Sequence, residues 1–224
     1  MTSLVPWLAG LGALALLAVI IVYSIVYSRR KQRERTEAME RVCIEMGFVF
    51  EPRADVDLLT SLGDLPLYTR GHSRRAKNMM TGRVGTDAVK VVEFQYTTGG
   101  GEHQQTSVQT VAVFPQATRS LPDLQMAPEN VFHKIGQVFG YQDIDFESNQ
   151  DFSGRYLVRG PDETAIRAAL YPETLSFFAE HEGWTVEIRS GTVGIYRASQ
   201  RSKPEDVRTF LEEAREVLRS LRRG

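Results

Sequence analysis

Cysteine is almost missing: Cys43 is the single thiol in 224 residues. An internal disulfide framework is thereby excluded, and so are the thiolate-rich zinc sites. A lone thiol also fits a reducing compartment. Histidine is scarce as well. His72, His103, His133 and His181 stand too far apart for any two to form a ligand pair on one helix. No G-x-G-x-x-G, P-loop or G-x-S-x-G pattern occurs. The run Gly99–Gly101 lacks the lysine of a phosphate loop and reads as a hairpin tip. No catalytic residue, cofactor-binding residue or metal ligand is assigned, and no cofactor is expected.

Charge is missing from residues 1–28, which hold no Lys, Arg, Asp or Glu. The next seven residues, RRKQRER, carry +4, and the whole chain carries −1. The remainder is therefore mildly acidic. Nucleic acid is a poor partner for such a domain, because the phosphate backbone needs a concentrated cationic face.

Leu4 to Tyr27 is apolar except for Ser24. At 1.5 Å per residue a helix of this run exceeds the roughly 30 Å of a bilayer core. Trp7 near one end, with Tyr23 and Tyr27 near the other, suits interfacial positions. A cleaved leader would want basic residues before the run, and here they follow it. The expectation is one transmembrane helix over 4–27 in a bacterial inner membrane. Arg29, Arg30, Lys31, Arg33 and Arg35 then lie at the membrane surface, facing anionic lipid. The positive-inside rule puts the N-terminus outside and the following domain in the cytoplasm. Ala9, Gly12 and Ala13 share one helical face and offer a small-residue contact for an oligomer.

Residues 28–47 form a basic juxtamembrane segment and an amphipathic helix, in which Met39, Val42, Cys43 and Met46 make the apolar stripe. Residues 48–224 make the folded domain. Phe48–Phe50 reads as a short strand, and Leu58, Leu59 and Leu62 as one or two helical turns. The stretch from Arg75 to Phe114 is a meander of about three strands. Within it, Val89, Val91 and Glu93 alternate against Val92, Phe94 and Tyr96. Pro115 to Pro128 reads as a connector. A helix follows through Val131, Phe132, Ile135, Val138 and Phe139. Tyr156–Val158 is a short strand. Two helices come next, the first opened by Gly160–Glu163 and the second by Pro172. Trp184–Tyr196 is a hairpin turning at Ser190 and Gly191. Ser202 and Glu205 form a capping box for a last helix, whose stripe is Val207, Phe210, Leu211, Ala214, Val217, Leu218 and Leu221. The fold class is α+β, mainly antiparallel, behind one transmembrane helix.

Asp143, Asp145, Glu147 and Asp151 are the nearest approach to a cation site. A calcium loop starting at Asp143 would need Gly and Glu where Ser148 and Gly154 stand. Ile144 and Phe146 interleave the acids, which suits an edge strand showing its polar side to water. Arg70, Arg74, Arg75 and Lys77 form a second basic patch, read as a solvated strand edge.

The succession LPDLQMAPE (Leu121 to Glu129), DIDF (Asp143 to Phe146) and RYLVRGPDE (Arg155 to Glu163), with the capped last helix, resembles a family of bacterial membrane-anchored proteins without an assigned activity. The resemblance implies a bacterial inner membrane and no chemistry. The expectation is a membrane-anchored, cytoplasmic-facing, non-enzymatic binding or assembly domain with a lipid or protein partner. The alternative is a small-ligand sensor or unfamiliar enzyme, its pocket lined by His72, Gln109, His133 and Asp143.

Overall fold

The computed structural model describes residues 5–54, 64–117, 121–131 and 142–222, with side chains from 14 onward. Helix α1 spans Val5–Glu45 without a break. After Gly12 its sequence holds no Gly or Pro until Gly47, where φ is +70° and the chain leaves the helix. The Phe48 and Gly47 amides close the end on the Cys43 and Ile44 carbonyls. Met39 and Cys43 are buried, with Val42 and Met46 packed beside them.

The transmembrane expectation is overturned. Among the described residues, no helix is long and apolar enough to cross a membrane. Helix α1 is the element on which that span was expected. The same helix then runs straight into Arg29, Arg30 and Lys31. The single-pass topology, the inner-membrane location and the outside N-terminus therefore fall together. Ala9, Gly12 and Ala13 lie outside the residues whose side chains are described.

The rest is α+β, as the alternating patterns require. Strands β1 (Val49–Ala54), β2 (His72–Val84), β3 (Asp87–Thr98) and β4 (Gln105–Phe114) form the expected meander with one more edge strand. Strand β5 (Leu124–Pro128) is followed by the short helix α2 (Gln150–Ser153), strand β6 (Tyr156–Arg159), and helices α3 (Glu163–Ala169) and α4 (Pro172–Glu180). The hairpin of β7 (Trp184–Arg189) and β8 (Thr192–Arg197) leads to the last helix, α5 (Val207–Leu221). Among the described residues, the eight strands join one sheet in the order β1-β2-β3-β4-β8-β7-β5-β6. Every pairing is antiparallel.

The period-2 alternation decides which face each side chain meets. Val89, Val91, Ala112, Val186, Ile188 and Ile195 join the core under the C-terminal half of α1, α4 and α5. Val92, Phe94, Tyr96, Val111, Val113 and Tyr196 point the other way, against Leu65, Leu67 and Tyr68. That second face is sealed by a chain segment with a single 3-10 turn, Pro66–Thr69. Leu65 reaches the sheet at Gly194, where a Cβ would stand 2.7 Å from the leucine Cδ1. The apolar stripe of α5 is buried throughout.

Two further expectations need correction. Leu124–Pro128 is a strand between β7 and β6, not part of a connector. Pro122 and Pro128 made it read as a loop, but Pro128 takes the strand's last position. Ser202 and Glu205 do not cap α5. A 3-10 turn, Pro204–Asp206, precedes it, and no side chain caps the helix. The Ser202 amide instead donates to Thr110 Oγ1 at 2.9 Å. The expected turns at Leu58–Leu62 and the helix beyond Val131 lie outside the described residues.

Candidate functional site

The C-terminal half of α1 lies against the β1–β3 side of the sheet. Three directly opposed residues form a polar row there: Arg53 on β1 pairs with Lys77 on β2, and Lys77 with Glu93 on β3. Glu93 is buried and fully engaged. Arg35 Nε donates to its Oε1 at 2.8 Å, Asn78 Nδ2 to its Oε2 at 2.8 Å, and Arg201 Nη2 to its Oε2 at 2.5 Å. Asn78 reaches it because β2 is irregular between Lys77 and Met80, with Asn78 in the left-handed region at φ +49°. Burial acts to raise the Glu93 carboxyl. The hydrogen bonds and charges of Arg201 and Arg35 outweigh it and hold the group below the usual carboxylate range.

Beside this hub an open groove of about 980 Å³ separates α1 from the β1–β2 edge. Ser28, Arg29, Gln32, Arg33, Thr36 and Glu37 line it from the helix, and Pro52, Arg53 and Lys77 from the sheet. Burial pushes the Lys77 ammonium below its ordinary value, and Arg75, Arg201 and Arg53 push the same way against Glu93.

A second buried charge sits on the opposite face. Glu187 accepts from Arg70 Nη2, from Tyr196 Oη at 2.8 Å, from Gln125 Nε2 at 3.1 Å and from the Leu67 amide at 2.8 Å. Burial drives the Tyr196 hydroxyl well above its ordinary value, so it stays a donor. This cluster ties the covering segment to the sheet and is closed to solvent, so its task is structural.

The residues singled out in the sequence divide as follows. Arg30 and Arg33 make exposed i,i+4 pairs with Glu34 and Glu37. Arg29 and Lys31 are exposed. Arg35 leaves the cluster and turns into the domain to meet Glu93. The second basic patch breaks up. Arg70 is buried on Glu187, Arg74 donates to the Tyr68 carbonyl at 2.9 Å, and Lys77 joins the groove.

Among the described residues, no group of three or more His, Cys, Asp or Glu could hold a metal ion. Asp143 pairs with Arg159 at 2.5 Å, and the Asp145 carbonyl accepts from Arg167. Ile144 and Phe146 are buried, and the Ile144 amide donates to the Val158 carbonyl at 2.9 Å, beside β6.

The proposed pocket residues do not come together. His72 is exposed and bonds Gly99 at the hairpin tip, Gln109 is buried on β4 and accepts from the Ser199 amide, and Asp143 lies at the β6 edge. His133 lies outside the described residues. The Arg53–Lys77–Glu93 row and the place of Gln32 in the groove wall were missed. Basic residues in two neighbouring strands were the only signal, and their register is not written in either strand.

These features define an α+β protein in which, among the described residues, one antiparallel sheet has helices on one face and an irregular segment on the other. A scan against protein-family models matches none, and a comparison with curated proteins finds no match either. Among solved structures, the chain is similar to the mycobacterial trehalose monomycolate transport factor A, TtfA. The TM-score is 0.64 at 14% identity, over 85% of this chain and 96% of that one. A likeness at that identity is one of fold.

Proposed function

We propose that this chain is a non-enzymatic factor in the transport of an acylated molecule, acting by holding a protein or lipid partner. The likeness to TtfA carries the reading: it takes in 96% of the chain of that transport factor, so the two share most of one architecture. The polar clusters agree with it. Glu93 and Glu187 are consumed by structural partners, and neither stands free beside a nucleophile or base. The cationic stretch at Arg29, Arg30, Lys31 and Arg33 is the part of the chain best suited to an anionic lipid or acidic protein surface.

Deleting the gene in its own organism, with lipids of the cell envelope profiled by mass spectrometry, tests the reading. The expected outcome is accumulation of one acylated precursor and loss of its exported form, restored by the intact gene. An unchanged lipid profile overturns it.

A further inference from the structure

The like-charged pair Arg53 and Lys77 is the part of the molecule that the fold leaves unexplained. The two sit directly opposite on neighbouring strands, an arrangement that costs stability unless something of opposite charge lies nearby. Glu93, the acid opposite Lys77 on β3, is already held by Arg35, Arg201 and Asn78. Neither Arg53 nor Lys77 makes an ion pair among the described residues. From the helix side Arg29 and Arg33 face the same groove, and its one acid, Glu37, is paired with Arg33. Gln32 adds an independent sign. It lines the groove, and its side-chain amide nitrogen is buried without an acceptor. A buried donor with no partner is costly, and an entering oxygen ligand would recover that cost.

We infer that the groove between α1 and the β1–β2 edge binds a phosphate-bearing group, held by Arg53, Lys77, Arg29 and the Gln32 amide. Phosphate suits the donors: arginine forks take two of its oxygens at once, and the ammonium and amide can take others. The open groove admits a headgroup that remains attached to something larger. The same chemistry is offered by a soluble phosphomonoester and by a phospholipid headgroup. The inference stands on the groove itself and does not need the transport reading.

The test uses the full chain, titrated with glycerol 3-phosphate and, separately, floated with phosphatidylcholine vesicles containing phosphatidylglycerol. Two variants of equal charge change are compared with it: Arg53→Gln/Lys77→Gln in the groove, and Arg208→Gln/Arg219→Gln, two exposed residues of α5 that do not line it. Melting temperature confirms that both fold. The groove variant should lose about tenfold or more in affinity while the other keeps its affinity within about twofold, since each charged hydrogen bond lost is worth roughly a factor of ten. Binding of glycerol 3-phosphate identifies a free phosphate ligand, and binding of vesicles alone identifies a headgroup. Equal losses in the two variants, or no binding in either assay, overturn the inference.

Discussion

Arg35 on α1 donates from Nε to Glu93 Oε1 on β3 at 2.8 Å, joining residues 58 positions apart. The guanidinium also reaches the Ser202 carbonyl at 2.5 Å, so one side chain ties α1 to the sheet and to the lead-in of α5. Cutting this tie should loosen the docking of α1. Arg35→Met leaves Glu93 with Arg201 and Asn78, so the cost is expected at about 1–3 kcal/mol, below that of stripping a buried carboxylate of every partner. Urea unfolding at neutral pH measures it. A midpoint equal to that of the parent would mean that the tie does not hold α1.

The same carboxylate sets an acid limit on the fold. Its folded-state pKa lies below the ordinary value of 4.5. As pH falls, the unfolded chain therefore binds the proton first, and the folded state loses ground. The contribution is fully present above about pH 4.5 and disappears as pH drops through the folded value. Stability followed from pH 7 to pH 3 should fall at the low end. Glu93→Gln should start lower and show a shallower fall. Parallel curves would remove Glu93 from the account.

The meander was legible because β3 and β4 state their alternation in their own residues. The α5 stripe was legible because 3.6-residue periodicity needs no partner to be seen. What could not be read depended on pairing between distant segments. Leu124–Pro128 becomes a strand because β7 and β6 flank it, and its own residues are framed by prolines. Ser202 looked like a cap, but the Thr110 hydroxyl and Arg35 take its backbone groups. Arg35 looked like one more member of a basic cluster, because nothing local to RRKQRER shows that Glu93 lies within reach. The candidate groove was invisible for the same reason, since the opposition of Arg53 and Lys77 is a fact of register. The long apolar run suggested a span, and the described helix does not provide one.

The Arg70–Glu187 pair should behave as a closed buried ion pair, with side chains 3% and 0% exposed. Glu187→Leu leaves the Arg70 cation buried without its counter-charge, a loss of about 3–5 kcal/mol. The double change Arg70→Met/Glu187→Leu should recover part of this. Recovery stays incomplete because Tyr196, Gln125 and the Leu67 amide also lose their acceptor. Chemical denaturation of the three proteins checks the order. A double variant less stable than Glu187→Leu alone would contradict it.

Cys43 gives a direct readout of whether α1 stays docked. Burial, then the nearby Glu40 charge, pushes its thiol up to about 11. At pH 8 only about a thousandth of such a thiol is thiolate, and thiolate is the reactive form. The side chain is also buried against the core beneath α1. Reaction with a chromogenic disulfide reagent should therefore run at least about a hundredfold slower in the native protein than in denaturant, limited by how often the helix lifts. Arg35→Met should speed the native reaction, because it weakens the tie that holds this helix down. A native thiol reacting as fast as the denatured one would show that α1 does not cover Cys43 in solution, and the groove beneath the same helix would then have only one wall.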